Sequence, residues 1–263
     1  MHVIVTRPEP ETTRWVAALQ ARGFDAAALP LIAITPARNS QPIRAAWKNI
    51  QNYQALMFVS GSAVTHFFES NRPLAQSEYA QAAPNIGATR AWATGPGTQA
   101  ALLQLGLAPD QIDAPAHSAG QFDSEALWQL VAPNVTPGTR VLVVRGGGVD
   151  GESAGRSWLA EQLAAAGAVV DTLVAYERHP PQFTSAQLAL AQNAAHDGSV
   201  WLLSSSEAIG HLQACLPGQA WHAAKAVATH PRIADAARTA GFGVVCSSRP
   251  TLDDVAASIE SLL

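Results

Sequence analysis

The chain has 263 residues, a mean hydropathy of +0.07 and a formal net charge of −4. That length carries one large domain or two small ones, each with its own core. The acidic balance argues against a nucleic-acid surface, and no apolar run reaches the roughly 18 residues of a membrane-spanning helix. The opening MHVIVTRPEPE reads as a strand running into a loop, without the basic and apolar regions of a signal peptide. Cys215 and Cys246 lack metal-type spacing and read as free thiols of a cytoplasmic protein. Lys48 and Lys225 are the only lysines, so arginine carries almost all the positive charge. Arginine suits planar contacts with carboxylate or phosphate, although a GC-rich genome produces the same skew.

Apolar β-like runs alternate with helical patterns. The first run, at 2–5, leads through VTRPEP into an amphipathic stretch at 10–22, where Val16 and Leu19 share a face. Strand patterns follow at 25–34, 55–60 and 91–94, then at 140–144 and 169–175. Between the last two, Leu159, Leu163 and Ala166 predict a helix over 157–166. The remaining strands are read at 199–204, 226–229 and 243–246. Continuous apolar strands alternating with amphipathic helices predict an α/β fold with parallel sheets covered on both faces. Gly23, Gly106, Gly167 and Gly241 each stand between a helical pattern and the next strand, and each is read as a left-handed helix cap.

These repeated endings belong to an internal duplication. RAWATGPGTQAALLQLG at 90–106 aligns with KAVATHPRIADAARTAG at 225–241, and FVSGSAV at 58–64 aligns with LSSSEAI at 203–209. The stretch opening with VIVTRP at 3–8 pairs more loosely with the one opening with VLVVRG at 141–146. The order is A, B, A′, B′. Joining A to B gives two contiguous lobes. Joining B to A′ and A to B′ gives an inserted lobe and two crossings, near 35–39 and 176–181, where proline and charge resemble linkers. The repeat alone leaves both open.

Four constellations bear on chemistry. Gly146, Gly148 and Gly151 form G-x-G-x-x-G after an apolar run, with Asp171 about twenty residues on, as in a dinucleotide-binding fingerprint. Arg145, Asp150 and Glu152 fit that fingerprint poorly, and a flexible surface loop is the plainer reading. Ser60, Ser62, Ser204, Ser205 and Ser206 end strands before helices; N-capping explains them, and a helix start also offers N–H groups to an anion. Gly95, Thr98, Thr229 and Pro231 mark two further helix starts, and Thr6, Arg7, Arg145 and Gly146 follow the first strands of A and A′. Such sites converging on one cleft suit a ligand with several carboxylates. Tyr176, at the second crossing, is either a hinge residue or a proton donor. The histidines form no H-E-x-x-H or similar ligand spacing.

VTRP at 5–8, FVSGSAV at 58–64, Gly95-x-x-Thr98, VVRGGG at 143–148, GRSWLAEQLAAAG at 155–167, VAYERHPP at 174–181, LLSSSEAI at 202–209 and the late AT-x-P…AG-F element at 228–242 together resemble the uroporphyrinogen-III synthase family. The resemblance implies two flavodoxin-like lobes in the swapped arrangement: residues 1–35 with 179–263, an inserted lobe at 39–175, and a hinge at 36–38 and 176–178. It implies dehydrative cyclisation of hydroxymethylbilane, a linear tetrapyrrole with eight carboxylates, with inversion of ring D through a spiro intermediate. Neither metal nor organic cofactor is implied, and the protein is expected to be a cytoplasmic monomer. Tyr176 is then expected to assist hydroxyl departure. Thr6, Arg7, Ser60, Ser62, Gly95, Thr98, Arg145, Gly146, Ser205, Ser206, Thr229 and Pro231, with neighbouring amides, are expected to hold the substrate. His230 and Ile233 depart from the Gly and Thr of the family pattern. Two rival readings are an NAD-linked oxidoreductase using Gly146–Gly151 and a two-lobed, non-catalytic binding protein.

Overall fold

Short apolar runs form strands, and the glycine-ended amphipathic stretches between them form helices. The computed structural model describes residues 2–71, 84–116, 122–148 and 158–262. In chain order the elements are β1 (Val3–Val5), α1 (Glu11–Gln20), β2 (Ala26–Ala28), β3 (Ala33–Pro36), α2 (Gln41–Lys48), β4 (Ala55–Phe58), α3 (Gly61–Glu69), β5 (Arg90–Ala93), α4 (Pro96–Gln104), β6 (Ile112–Asp113), α5 (Ser124–Val131), β7 (Arg140–Gly147), α6 (Trp158–Ala165), β8 (Val169–His179), α7 (Ser185–Ala194), β9 (Val200–Leu203), α8 (Ser206–Cys215), β10 (Lys225–Ala228), α9 (Pro231–Thr239), β11 (Val244–Ser247) and α10 (Leu252–Glu260).

The chain divides into two units, Met1–Ile34 with His179–Leu263, and Thr35–Arg178. The first unit's sheet runs β2-β1-β9-β10-β11, a doubly wound 2-1-3-4-5 order. The second unit's sheet runs β3-β8-β7-β4-β5-β6. Counted from β7, its last five strands follow the same 2-1-3-4-5 order, entered by the chain at a different point. A therefore pairs with B′, and B with A′. The pairs β1–β9, β9–β10, β4–β7 and β7–β8 are all parallel.

Alternate residues of each strand reach opposite faces, so each sheet feeds two cores. In the first unit Ile4, Trp201 and Ala226 pack on one side, and Val3, Val5, Leu202 and Val227 on the other. In the second, Met57, Trp92, Val141 and Val143 pack with Leu127 and Leu163. Phe58, Phe67, Phe68 and Trp47 interlock edge to face nearby. Each large side chain so buried contributes about 1.5–3 kcal/mol.

Most strand ends lie one or two residues from the sequence reading, the two-residue β6 is not among the strands read, and three differences are larger. The 25–34 run splits into β2 and β3, because Pro30 between them has no N–H for a ladder. β8 continues to His179, so residues 176–178 lie within a strand. β7 runs to Gly147, so Gly146 and Gly147 are strand residues and not a loop after a strand. The four cap glycines do have positive φ: 87° at Gly23, 90° at Gly106, 81° at Gly167 and 94° at Gly241. A pair of alanine substitutions separates backbone strain from crowding, because neither Gly241 nor Gly210 has an atom within 4 Å of a built Cβ. Gly241→Ala should lower the unfolding free energy by about 1 kcal/mol. Gly210→Ala, inside α8, should raise it by about 0.5–1 kcal/mol. Urea unfolding midpoints of the two variants check both signs.

Candidate functional site

In a doubly wound sheet, ligands bind outside the carboxyl ends of the strands, where the strand order reverses. That point lies between β1 and β9 in the first unit and between β7 and β4 in the second. Thr6 and Arg7 follow β1, and Ser205 and Ser206 follow β9. Arg145 and Gly146 lie at the end of β7, and Ser60 and Ser62 follow β4. Gly95 with Thr98, and Thr229 with Pro231, stand one strand further along each sheet.

The second unit brings its predicted residues into contact. The β7–β8 ladder slips register between Arg145 and Gly146, as at a bulge, and then pairs Gly146 with Tyr176 and Gly147 with Glu177. A Cβ at Gly146 would lie 2.5 Å from Cζ of Tyr176 and 2.8 Å from its hydroxyl oxygen. Tyr176 is 4% exposed, and its hydroxyl lies 3.0 Å from Oγ of Ser60. Ser60 is also the N-cap of α3, and its Oγ accepts the N–H of Ala63 at 3.1 Å. His66, on the same helix, stacks against the Tyr176 ring with centroids 5.7 Å apart. Burial lowers the pKa of His66 against a smaller opposing effect of Glu69. The Arg145 guanidinium is pushed below its ordinary value by burial and then by the like charge of Arg178. Glu177 is buried and ion-paired with Arg38 at 3.1 Å.

Helix α4 begins at Gly95, an extended N-cap with no side-chain bond to the first turn, and Pro96 fills its first position. Thr98 is buried in that first turn. Ser62 is half-buried in the first turn of α3.

In the first unit several predicted side chains are engaged internally. Thr6 is 1% exposed and donates to the carbonyl of Leu202 at 2.6 Å. Arg7 pairs with Glu11 at 2.9 Å and lies 4.3 Å over the Trp15 ring. Thr229 donates to the carbonyl of Leu203 at 3.5 Å, as Thr94 does to Val59 at 3.4 Å. Ser205 differs from Ser60: it is the N-cap of α8 but makes no side-chain cap bond. Ser206 and Pro231 are exposed first-turn residues. His230 closes the start of α9, its Nδ1 accepting the N–H of Arg232 at 3.1 Å, and Ile233 is buried.

The dinucleotide reading fails on placement. Its first glycines extend a strand, and Gly146 meets Tyr176 instead of opening a helix. Asp171 sits near the amino end of β8, where it accepts from Tyr53 at 3.0 Å and Arg140 at 2.9 Å, at the far end of the sheet from Gly146. Asp150, Gly151 and Glu152 lie outside the described residues.

The model of the uroporphyrinogen-III synthase HemD family matches residues 13–257, nearly the whole chain. The chain belongs to this family. Uroporphyrinogen-III synthases are cyclising lyases of tetrapyrrole biosynthesis, and that is the activity class of this protein. The fold agrees. A mutant uroporphyrinogen III synthase from the extremely thermophilic bacterium Thermus thermophilus is similar with a TM-score of 0.53 at 17% identity, over 100% of this chain and 98% of that one. The uroporphyrinogen-III synthetase from Helicobacter pylori is similar with a TM-score of 0.60 at 15% identity, over 100% of both chains. Neither an oxidoreductase nor a non-catalytic binding protein finds support in these matches. Among the described residues, no helix is long and apolar enough to cross a membrane, and no group of three or more His, Cys, Asp or Glu could hold a metal ion.

The sequence reading of this uroporphyrinogen-III synthase family member passed over His66. It is the residue after VSGSAVT, within reach of a strand that joins the sheet more than a hundred residues later. His66→Phe keeps an aromatic ring against Tyr176 and removes the ionisation. Because burial lowers the folded pKa, the unfolded chain takes up the proton first, and stability falls as pH drops through the ordinary histidine range near about 6.5. The loss of melting temperature between about pH 8 and about pH 5.5 should therefore be smaller in His66→Phe than in the wild type.

Proposed function

We propose that this chain converts hydroxymethylbilane to uroporphyrinogen III, with ring D inverted through a spiro intermediate. Support comes from the pairing of a buried phenol, Tyr176, with the serine that starts α3, at the switch point of the second unit's sheet. Both units present helix starts of the kind that accept carboxylates. Gly95 leaves the first turn of α4 without a side-chain cap, and Ser205 leaves its hydroxyl out of capping. Thr98, Ser205, Ser206 and neighbouring amides hold acetate and propionate groups in this reading. Arg145 adds a nearby positive charge, while Thr6, Arg7, Ser62, Thr229 and Pro231 shape the strand ends from which these groups project.

Tyr176 donates its proton to the substrate hydroxyl. The C–O bond breaks, the electron pair leaves on oxygen, and water forms. The phenolate is reprotonated by the proton that the tetrapyrrole gives up on ring closure, so the enzyme ends unchanged. No other redox or group-transfer partner enters the balance. Positioning governs the outcome: the activated bilane also closes unaided, to the unrotated isomer, and the enzyme must direct attack to the substituted end of ring D. A monomeric, cytoplasmic protein is part of the same reading.

Incubation with freshly made hydroxymethylbilane, followed by separation of products, tests the proposal. Isomer III as the main product supports it, and isomer I alone overturns it. Tyr176→Phe should lower kcat by about tenfold or more. Thr98→Ala should raise KM only about twofold to fivefold, because backbone amides remain. Unchanged kcat in the first and unchanged KM in the second would remove both assignments. A fluorescence titration with NADH should show no saturable change.

A further inference from the structure

We propose that Ser60 and Gly146 are positioning residues for Tyr176, Ser60 donating a hydrogen bond to the phenol oxygen and Gly146 leaving the space in which the ring lies. The inference rests on the reading of Tyr176 as the proton donor and assigns Ser60 a role different from holding carboxylates.

A serine hydroxyl has one proton and two acceptor sites. One acceptor site of Ser60 takes the N–H of Ala63. Its Oγ also lies 3.0 Å from the Tyr176 hydroxyl, with one proton between them. If Tyr176 donates, its proton is directed at Ser60 and away from any substrate. If Ser60 donates, the phenol proton is not spent on Ser60, and the oxygen it would leave behind already faces a donor. The N–H of Ala63, at the positive end of α3, polarises Ser60 toward that second arrangement. A carboxylate also needs a donor, and Ser60 has a single proton, so it cannot serve Tyr176 and a carboxylate at once.

Gly146 completes the seat. Any Cβ there would fall 2.5–2.8 Å from the outer atoms of the phenol, which is ring and hydroxyl and not the far end of a flexible chain. The ring also stacks against His66 and is 4% exposed, so it has little room to retreat. The φ of Gly146 is not in the left-handed region, so this glycine answers to space and not to backbone strain.

Three variants at position 60 separate positioning from capping. Glycine caps a helix almost as well as serine, and alanine does not. Ser60→Ala and Ser60→Gly should both lose about tenfold in kcat with KM within about twofold, and Ser60→Thr should keep most of the activity. In a Tyr176→Phe background, Ser60→Ala should cost no further kcat. Wild-type kcat in Ser60→Gly would mean a cap only. A rise in KM at constant kcat would mean a carboxylate contact, and an undiminished loss in the Tyr176→Phe background would mean that Ser60 acts elsewhere. Each of these overturns the proposal for Ser60.

Gly146 is tested by stability, independently of turnover. Gly146→Ala should lower the melting temperature when Tyr176 is present, and the drop should shrink by at least about half in a Tyr176→Ala background. An equal drop in both backgrounds overturns the seat. If Tyr176→Phe itself keeps full kcat, the proton-donor reading fails, and this second cycle still decides the geometry.

Discussion

Beyond Arg145 the β7–β8 ladder slips its register, and Gly146 comes to lie beside Tyr176. Much of the second unit's site depends on that pairing. It holds the phenol at the carboxyl end of the sheet, beside the strand that delivers Ser60, and it places Glu177 against Arg38 at 3.1 Å. The same strand then leaves the second unit at Arg178. One ladder thus fixes a chemical group and carries the chain between units.

The duplicated sequence folds as two permuted versions of one sheet order. The swapped pairing of A with B′ and B with A′ requires the chain to pass between units twice, and the strands β3 and β8 lie together at one edge of the second sheet. Parallel strands in such sheets are buried on both faces, which explains why the repeats agree best in apolar and small residues: Ala91 with Ala226, Ala93 with Ala228, all of them fully buried. The helix starts are freer to diverge. His230 places a ring nitrogen on the first turn of α9, whereas Gly95 leaves the first turn of α4 without such a cap. A helix start closed by its own side chain offers less to a carboxylate than an open one.

Legibility in the sequence followed the range of the interactions. The cap glycines were legible because a left-handed C′ position is a local demand, answered within a few residues. The strand ends and serine helix starts were legible for the same reason. Gly146 was not. Its neighbour Tyr176 is thirty residues away in the chain, and three glycines in a row look alike whether they open a helix or make room for a ring. The strand's continuation past Val144 was hidden by the same glycines, which lack β propensity and are held in the ladder by β8. Thr6 and Thr229 were singled out as polar residues at strand ends. Nothing local reveals that their hydroxyls turn inward to the carbonyls of Leu202 and Leu203.

The two units also differ in the stretches that follow their first aligned strands. Where the second unit has Gly146 within β7, the aligned VTRP of the first has Pro8, which lies beyond the end of β1 at Val5 and has no N–H to offer a ladder. β2 stops at Ala28, two residues before Pro30, and the chain goes on through Leu29, Pro30 and Leu31, with both leucines fully buried. No tyrosine stands in that stretch as Tyr176 stands in β8. Ser205, the counterpart of Ser60, is then left without a tyrosine to serve, and it makes no side-chain cap bond.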